Sequence, residues 1–296
     1  MKKALYKDTA MEIKNTYKRF LSIMLIVLLG VGFFVGIKAA SPDMKKTLDK
    51  YFDDQNVMDI QVISTLGLTD SDKEALKNIE GVERVEASYQ LDGILNSGEE
   101  EVVVKLETIP TDINRLVIED GRLPENSNEC VVENRFLIVT EHKIGDTVEV
   151  ITDKIQDDDG NEKEALKKNK LKIVGTVSSP LYISEERGNT KLGSGVIDYY
   201  MYIANDNINS EIYTNVYLTV DGAKELQSYK NKYSEKIEKV KTEIENIAED
   251  RKEKRYDEIY NKANSKIKDA EKKLNSEKEK AEKELNDAEK QIENAK

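Results

Sequence analysis

The sequence predicts an α+β protein with one membrane-spanning helix near its N-terminus and a long coiled-coil helix at its C-terminus, and three observations carry that reading. Phe20 to Ile37 is an eighteen-residue run without a charge. Val57 to about Val220 mixes strand-like alternation with a single short helical pattern. From Gly222 onward there is no further Pro or Gly, and apolar residues recur every three or four positions.

At ~1.5 Å of rise per residue, the eighteen residues of the apolar run make a helix of roughly 27 Å, close to the ~30 Å hydrocarbon core of a bilayer. A lone segment in lipid has to be helical, because its backbone amides and carbonyls find no other partners there. A cleaved signal peptide would have an apolar run of about 7–15 residues followed by a small-x-small cleavage site. Here the run is longer, and Ile37 or Lys38 would occupy the −3 position for cleavage after Ala39 or Ala40. The segment therefore reads as a retained anchor. Residues 1–19 carry six Lys or Arg against Asp8 and Glu12, a net +4, which predicts a cytoplasmic N-terminus and an extracytoplasmic remainder. Within that flank Tyr6, Ala10, Ile13, Tyr17 and Phe20 fall on one helical face, so residues 1–19 read as an amphipathic helix on the inner membrane surface or as a basic topology signal. Gly30, Gly32 and Gly36 occupy the outer half of the span, and Gly32 with Gly36 has the small-xxx-small spacing that admits a close neighbouring helix. Either a partner helix packs there or the glycines reflect their ordinary frequency in membrane helices.

Residues 38–220 read as one folded extracytoplasmic region. Residues 59–64 alternate polar and apolar as a half-buried strand, Thr69-Asp70-Ser71-Asp72 caps a helix running to Ile79, and Gly81 ends it. Residues 82–89 and 101–106 continue a β-α-β-β order, a small α+β unit. After Pro110 the turns at Gly121-Arg122-Leu123-Pro124 and Lys143-Ile144-Gly145-Asp146 feed strand-like runs at 129–132 and 147–150. With runs at 171–177, 199–203 and 214–220 these form a second, β-rich lobe, and the polar stretch 154–170 reads as a solvated hairpin or loop. Residues 221–296 read as a coiled-coil arm, with apolar positions at Leu226, Tyr229, Tyr233, Ile237, Val240, Ile244 and Ile247, then from Ile259 to Ala295. The polar patch 250–255 and the skipped turn between Leu274 and Ala281 predict phase slips or a kink. An apolar seam needs a partner, and none follows within these 296 residues, so the chain reads as the N-terminal portion of a longer protein or as one that pairs with a second copy.

Composition excludes several functions. A net charge of −12, with Lys interleaved with Glu, argues against a nucleic-acid partner. The single cysteine, Cys130, sits in an apolar run and reads as a core residue; His142, the only histidine, reads as a turn residue and leaves no His pair for a metal or a triad. Gly193-Ser194-Gly195 reads as a loop rather than a phosphate cradle, and with no GxxxxGK[ST] motif any ATP hydrolysis belongs to another subunit. Asp157, Asp158 and Asp159 before Gly160 lack the spacing of a calcium loop. No catalytic residue, cofactor or metal is expected.

The order of elements resembles that of the MacB/FtsX-type ABC transporter permeases, the Gram-positive kind with a large extracellular insertion after the first transmembrane helix. The residues that carry the likeness are Arg19-Phe20-Leu21-Ser22-Ile23, Gly30 to Gly36, Pro42-Asp43-Met44, Gly121-Arg122-Leu123-Pro124 with Glu129, Lys143-Ile144-Gly145-Asp146, and Lys172 to Val177 followed by Pro180 and Tyr182. The resemblance implies a MacB-like extracytoplasmic core domain that handles a substrate or a partner protein. It also implies a cytoplasmic ABC ATPase subunit as partner, and further permease helices or a second permease copy around the first span. One departure is large: such a permease has at least three more spans, and no second apolar run follows Ile37 in the 296 residues. The competing reading is a single-span membrane-anchored adaptor that self-associates through its coiled coil.

Overall fold

The computed structural model describes residues 2–97, 100–156 and 161–294, so Asp157, Asp158, Asp159, Gly160 and Ala295 lie outside the described residues. Helix α1 (Lys2–Asn15) meets helix α2 (Tyr17–Asp54) at Thr16, whose hydroxyl donates back to the Glu12 carbonyl at 2.8 Å. The apolar run lies inside α2, and none of its side chains is buried against protein. Such a surface is costly in water and favourable in lipid, so α2 is the membrane anchor. The helix does not stop where the apolar run stops. It passes through Pro42, which lacks an amide proton, and continues as regular helix to Asp54.

Beyond α2 the chain builds two sheets. The small one holds β1 (Ile60–Leu68), β2 (Val82–Ser88) and β12 (Tyr213–Val220), in the order β1-β12-β2. Helix α3 (Asp70–Lys77) follows β1 and starts within the expected capping stretch, on a capping box: the Thr69 hydroxyl accepts from the Asp72 amide, and the Asp72 carboxylate accepts from the Thr69 amide at 2.8 Å. Here the structure corrects the two-lobe division read from the sequence. Strand 214–220, assigned to the β-rich lobe, is the central strand of the small sheet, pairing Val216 with Val62 on one side and Ala87 on the other. Pairings between strands so distant in sequence leave no local trace.

The larger sheet contains β3 (Gln90–Ser97), β4 (Glu100–Thr108), β5 (Val117–Gly121), β6 (Glu129–Val132), β7 (Thr147–Thr152), β10 (Lys170–Ser178) and β11 (Tyr199–Ile203). Strand β4, read as part of the first unit, belongs here. β7 pairs with both β3 and β10, so six strands close into a barrel and β5 is appended along β10. Its interior is filled by Val104, Leu106, Cys130, Val132, Leu171, Ile173, Met201 and Ile203, with Phe136 of helix α4 (Asn134–Thr140) packed against them. Cys130 is fully buried, and burial pushes its thiol well above the usual range. His142 stacks on Phe136 and contacts the Thr140 hydroxyl through Nδ1 at 2.9 Å. The polar stretch forms the two-stranded hairpin β8 (Ile155–Gln156) with β9 (Glu162–Lys163). Gly193 and Gly195 lie in the loop between β10 and β11, both at positive φ.

The Gly121-Arg122-Leu123-Pro124 turn has a structural reason. Gly121 has φ +74°, and a Cβ there would collide with the Val174 carbonyl; a Cβ on Gly175 opposite would meet the Asp120 carbonyl oxygen at 2.6 Å. Arg122 then grips Glu129 through Nη1 and Nη2, at 2.9 and 2.7 Å, and the Glu125 amide adds a third bond at 2.8 Å. The Arg122 bonds first and the Glu125 amide second hold the Glu129 carboxyl at about 2, below the ordinary 4.5. A lowered folded-state value means stability that is present above the ordinary value and lost as pH falls toward 2. Urea midpoints should therefore fall between pH 5 and pH 3, and Glu129→Gln should lower the midpoint at pH 7 while flattening that slope. An unchanged slope in the variant would remove Glu129 from the acid response.

Helix α5 (Asn231–Asn294) runs 64 residues, so the polar patch 250–255 does not interrupt it. The expected arm is two different things along its length. Leu226 and Tyr229 lie before the helix starts, and Tyr233, Ile237, Val240 and Ile244 pack on the small sheet and α3 instead of on a coiled-coil partner. The patch itself anchors the helix: the Asp72 carboxylate accepts from Arg251 Nε at 2.8 Å and Nη2 at 2.7 Å, and Arg251 Nη2 also reaches the Ser71 hydroxyl. Burial pushes Asp72 up, and the bonds from Thr69 and Arg251 outweigh it, so its carboxyl titrates below the ordinary range. Beyond residue 255 the apolar row is exposed at Ile259, Ile267, Leu274 and Leu285.

Candidate functional site

The end of α2 is built as a clamp. Asn56, at φ +51°, reverses the helix in a Schellman arrangement: the Val57 amide donates to the Phe52 carbonyl at 3.0 Å and the Asn56 amide to Asp53 at 3.2 Å. A second asparagine in the left-handed region, the buried Asn114 at φ +60°, faces it. Asn114 and Arg115 amides donate to the Asn56 and Gln55 carbonyls at 2.9 and 2.8 Å. In return Asn56 Nδ2 donates to the Asp112 carbonyl at 3.0 Å, and the Met58 amide to Asn114 Oδ1 at 2.9 Å. The carbonyls at the helix terminus, which would otherwise need water, are satisfied by one loop.

That loop follows β4 of the barrel and is held by the small sheet. The Glu86 carboxylate on β2 accepts from the amides of Thr111, Asp112 at 2.9 Å and Ile113 at 2.7 Å. Arg84 and Arg115 both pair with Asp112. On the other side of α2, Asp49 accepts from the Ser228 amide at 2.8 Å and its hydroxyl at 2.6 Å, and the Lys45 ammonium sits 5.6 Å from the Tyr229 ring centroid. Asp59 completes the junction, accepting from the Val220 amide at 2.7 Å and the Tyr233 hydroxyl at 2.6 Å. Burial pushes the Asp59 carboxyl up, and these two bonds pull against it. The membrane helix, both sheets and the root of the arm thus meet within a dozen residues of Asp54.

A buried polar cluster lies behind the clamp. Glu133 takes both arms of Arg187, Nε at 3.1 Å and Nη2 at 2.7 Å, and the guanidinium covers the Tyr200 ring at 5.3 Å and the Tyr182 ring at 5.9 Å. The two rings stack at 4.6 Å, and the Tyr182 hydroxyl bonds to Glu107, which also accepts from Gln90 Nε2 at 2.9 Å. Burial pushes the Glu107 carboxyl above its ordinary value. A cavity of about 400 Å³ separates this stack from Tyr51 of α2.

Among the described residues no cluster of three or more His, Cys, Asp or Glu side chains is placed to hold a metal, and neither cluster sets a nucleophile beside a base. The arrangement suits holding elements in fixed relation. Gly30, Gly32 and Gly36 all lie on α2 with open space around them. At about 100° per residue Gly32 and Gly36 share a face while Gly30 points elsewhere. The clamp left little trace in the sequence; Asn56 and Asn114, a residue type that tolerates left-handed geometry, were its available signal.

No family model matches the chain, and no curated protein matches it. Solved structures to which the chain is similar include the extracellular domain of the noncanonic ABC-type transporter YknZ from Gram-positive bacteria, with a TM-score of 0.36 at 15% identity, covering 56% of this chain and 79% of that one. The periplasmic region of MacB from Actinobacillus actinomycetemcomitans is similar at a TM-score of 0.32 and 13% identity, covering 59% of this chain and 71% of that one.

Proposed function

We propose that this chain is a membrane permease component, an N-terminal portion, of a MacB/FtsX-type ABC transporter. In this reading α1 is a cytoplasmic elbow beside a partner ATPase, 20–37 is the first span, 38–220 the extracytoplasmic core domain that handles substrate or a partner protein, and 221–296 the arm. Gly32 and Gly36 meet another permease helix or a second permease copy. The observation that carries the reading is the single helix from Tyr17 to Asp54 whose last turn is locked into both sheets and the arm root. A helix that is continuous from the membrane into a clamped head moves the head as one lever, which is how work done on one side of a membrane reaches the other without a channel.

The test has two arms. Cysteines placed along α1 in membranes of the native organism should crosslink to an ATP-binding-cassette subunit, and protease added outside should spare α1 and cut the head. Absence of a cassette subunit from the crosslinks, or an α1 cleaved from outside, would overturn the reading. The exposed row at Ile259, Ile267, Leu274 and Leu285 favours the second reading, a self-associating single-span adaptor. Crosslinks between arms of two copies, with none to a cassette subunit, would select it.

A further inference from the structure

Strand β1 carries an irregularity that neither its sheet nor the membrane anchor requires. Ile63 faces Asn215 and Leu68 faces Tyr213, so residues 64–67 stand against a single residue of β12. The slack opens a cavity of about 340 Å³ between the bulge, α3 and α5, lined on the apolar side by Leu68, Leu76, Ile244 and Ile247. That volume is at the lower end of the ~300–1,000 Å³ typical of small-molecule pockets. No charged residue occurs from Ile60 to Thr69, and Ile63 is 66% exposed.

The far end of the same cavity is cationic, in a chain whose net charge is −12. Arg251 there is committed to Asp72 and Ser71. Arg255 is not: its side chain is 17% exposed, its Nη1 reaches Glu258 only at 3.3 Å, and its Nε is buried with no hydrogen-bond acceptor. A buried guanidinium donor without an acceptor is costly, and an anion is the group that satisfies it most strongly.

We propose that this groove binds a free single-chain amphiphile, an apolar body ending in one carboxylate or sulfonate, with the Arg255 guanidinium as the head-group donor and the bulge of β1 beside its tail. The site is separate from the α2 clamp and stands whether or not the permease reading does. The acceptor it lacks is a single one, and the apolar lining is too small for a two-tailed lipid.

The chain has no tryptophan, so Ile247→Trp places a unique fluorophore in the groove. The full chain in phosphatidylcholine nanodiscs is titrated with decanoate and with decyltrimethylammonium, which has the same tail and the opposite head. A saturable emission change with decanoate is expected, at least tenfold weaker for the cation and at least tenfold weaker for decanoate in Arg255→Met. Equal responses to the two heads, or an Arg255→Met titration that matches the parent, would overturn the proposal. So would a groove already filled in phosphatidylglycerol nanodiscs, with the emission shifted before decanoate is added, because the source would then be a lipid head group. Thr65→Trp, at the exposed rim, repeats the titration where the Ile247 replacement disturbs folding.

Discussion

Replacing Arg187 with alanine should cost the head about 3–5 kcal/mol, the range seen when one member of a buried ion pair is removed. The side chains of Arg187 and Glu133 are only 9% and 6% exposed. Glu133 also accepts from the Tyr200 amide at 3.1 Å, so its carboxylate is fixed in place and cannot turn toward water when the guanidinium goes. The loss has two sources: an unpaired carboxylate remains in a low-dielectric site, and the Tyr182–Tyr200 stack loses the cation that covers it. Arg187→Lys should recover only part, since one ammonium cannot make the two-pronged contact. Removing both partners by adding Glu133→Gln should cost less than the two single changes together. Urea unfolding of the detergent-solubilised chain measures all three, and a drop below about 1 kcal/mol for Arg187→Ala would mean that water reaches Glu133.

What the sequence revealed depended on how local each feature is. The apolar run of α2, the helix cap within Thr69-Asp70-Ser71-Asp72 and the turn at Gly121 each rest on neighbours within a few residues, and each lies where its residues predicted. The continuation of α2 past Ile37 was hidden because Pro42 and the polar residues after it interrupt the apolar signal, although nothing in a polar helix forbids it. Strand β3 was missed because Asp92 and Gly93 break its alternation, yet Gly93 is required: a Cβ there would meet Val150 Cγ1 at 2.7 Å. Long-range placement was least legible. The central position of β12 and the clamp of Asn56 on Asn114 join residues far apart in the chain, and one sequence carries no record of such pairings. The arm shows the same limit in another form, because its heptad-like spacing is uniform while its partners are not. An apolar stripe states that a face is to be covered, without naming the cover.

That uncertainty over the cover makes the arm the place for a sharp contrast. Ile244→Asp should destabilise the small sheet by about 3–5 kcal/mol, combining the loss of a buried Ile with a carboxylate set against apolar neighbours. Ile244 is 8% exposed and belongs to one cluster with Leu68, Leu76, Val216 and Leu218, so undocking α5 would uncover the face that holds β1, β12 and α3 together. Ile267→Asp makes the same chemical change on the same helix at a side chain that is 56% exposed, and should leave that sheet within about 0.5 kcal/mol of the parent. Amide exchange distinguishes them: faster exchange in β12 and α3 for the first variant only. Arg251→Ala belongs between the two, because it removes the charge that pins the helix to Asp72 while leaving the apolar contacts in place. If Ile267→Asp accelerates exchange as much as Ile244→Asp does, the arm is a single cooperative rod whose far half supports the head. If neither does, the small sheet stands without α5. Only the graded result fits an arm whose root is part of the head and whose far half is free to meet a partner.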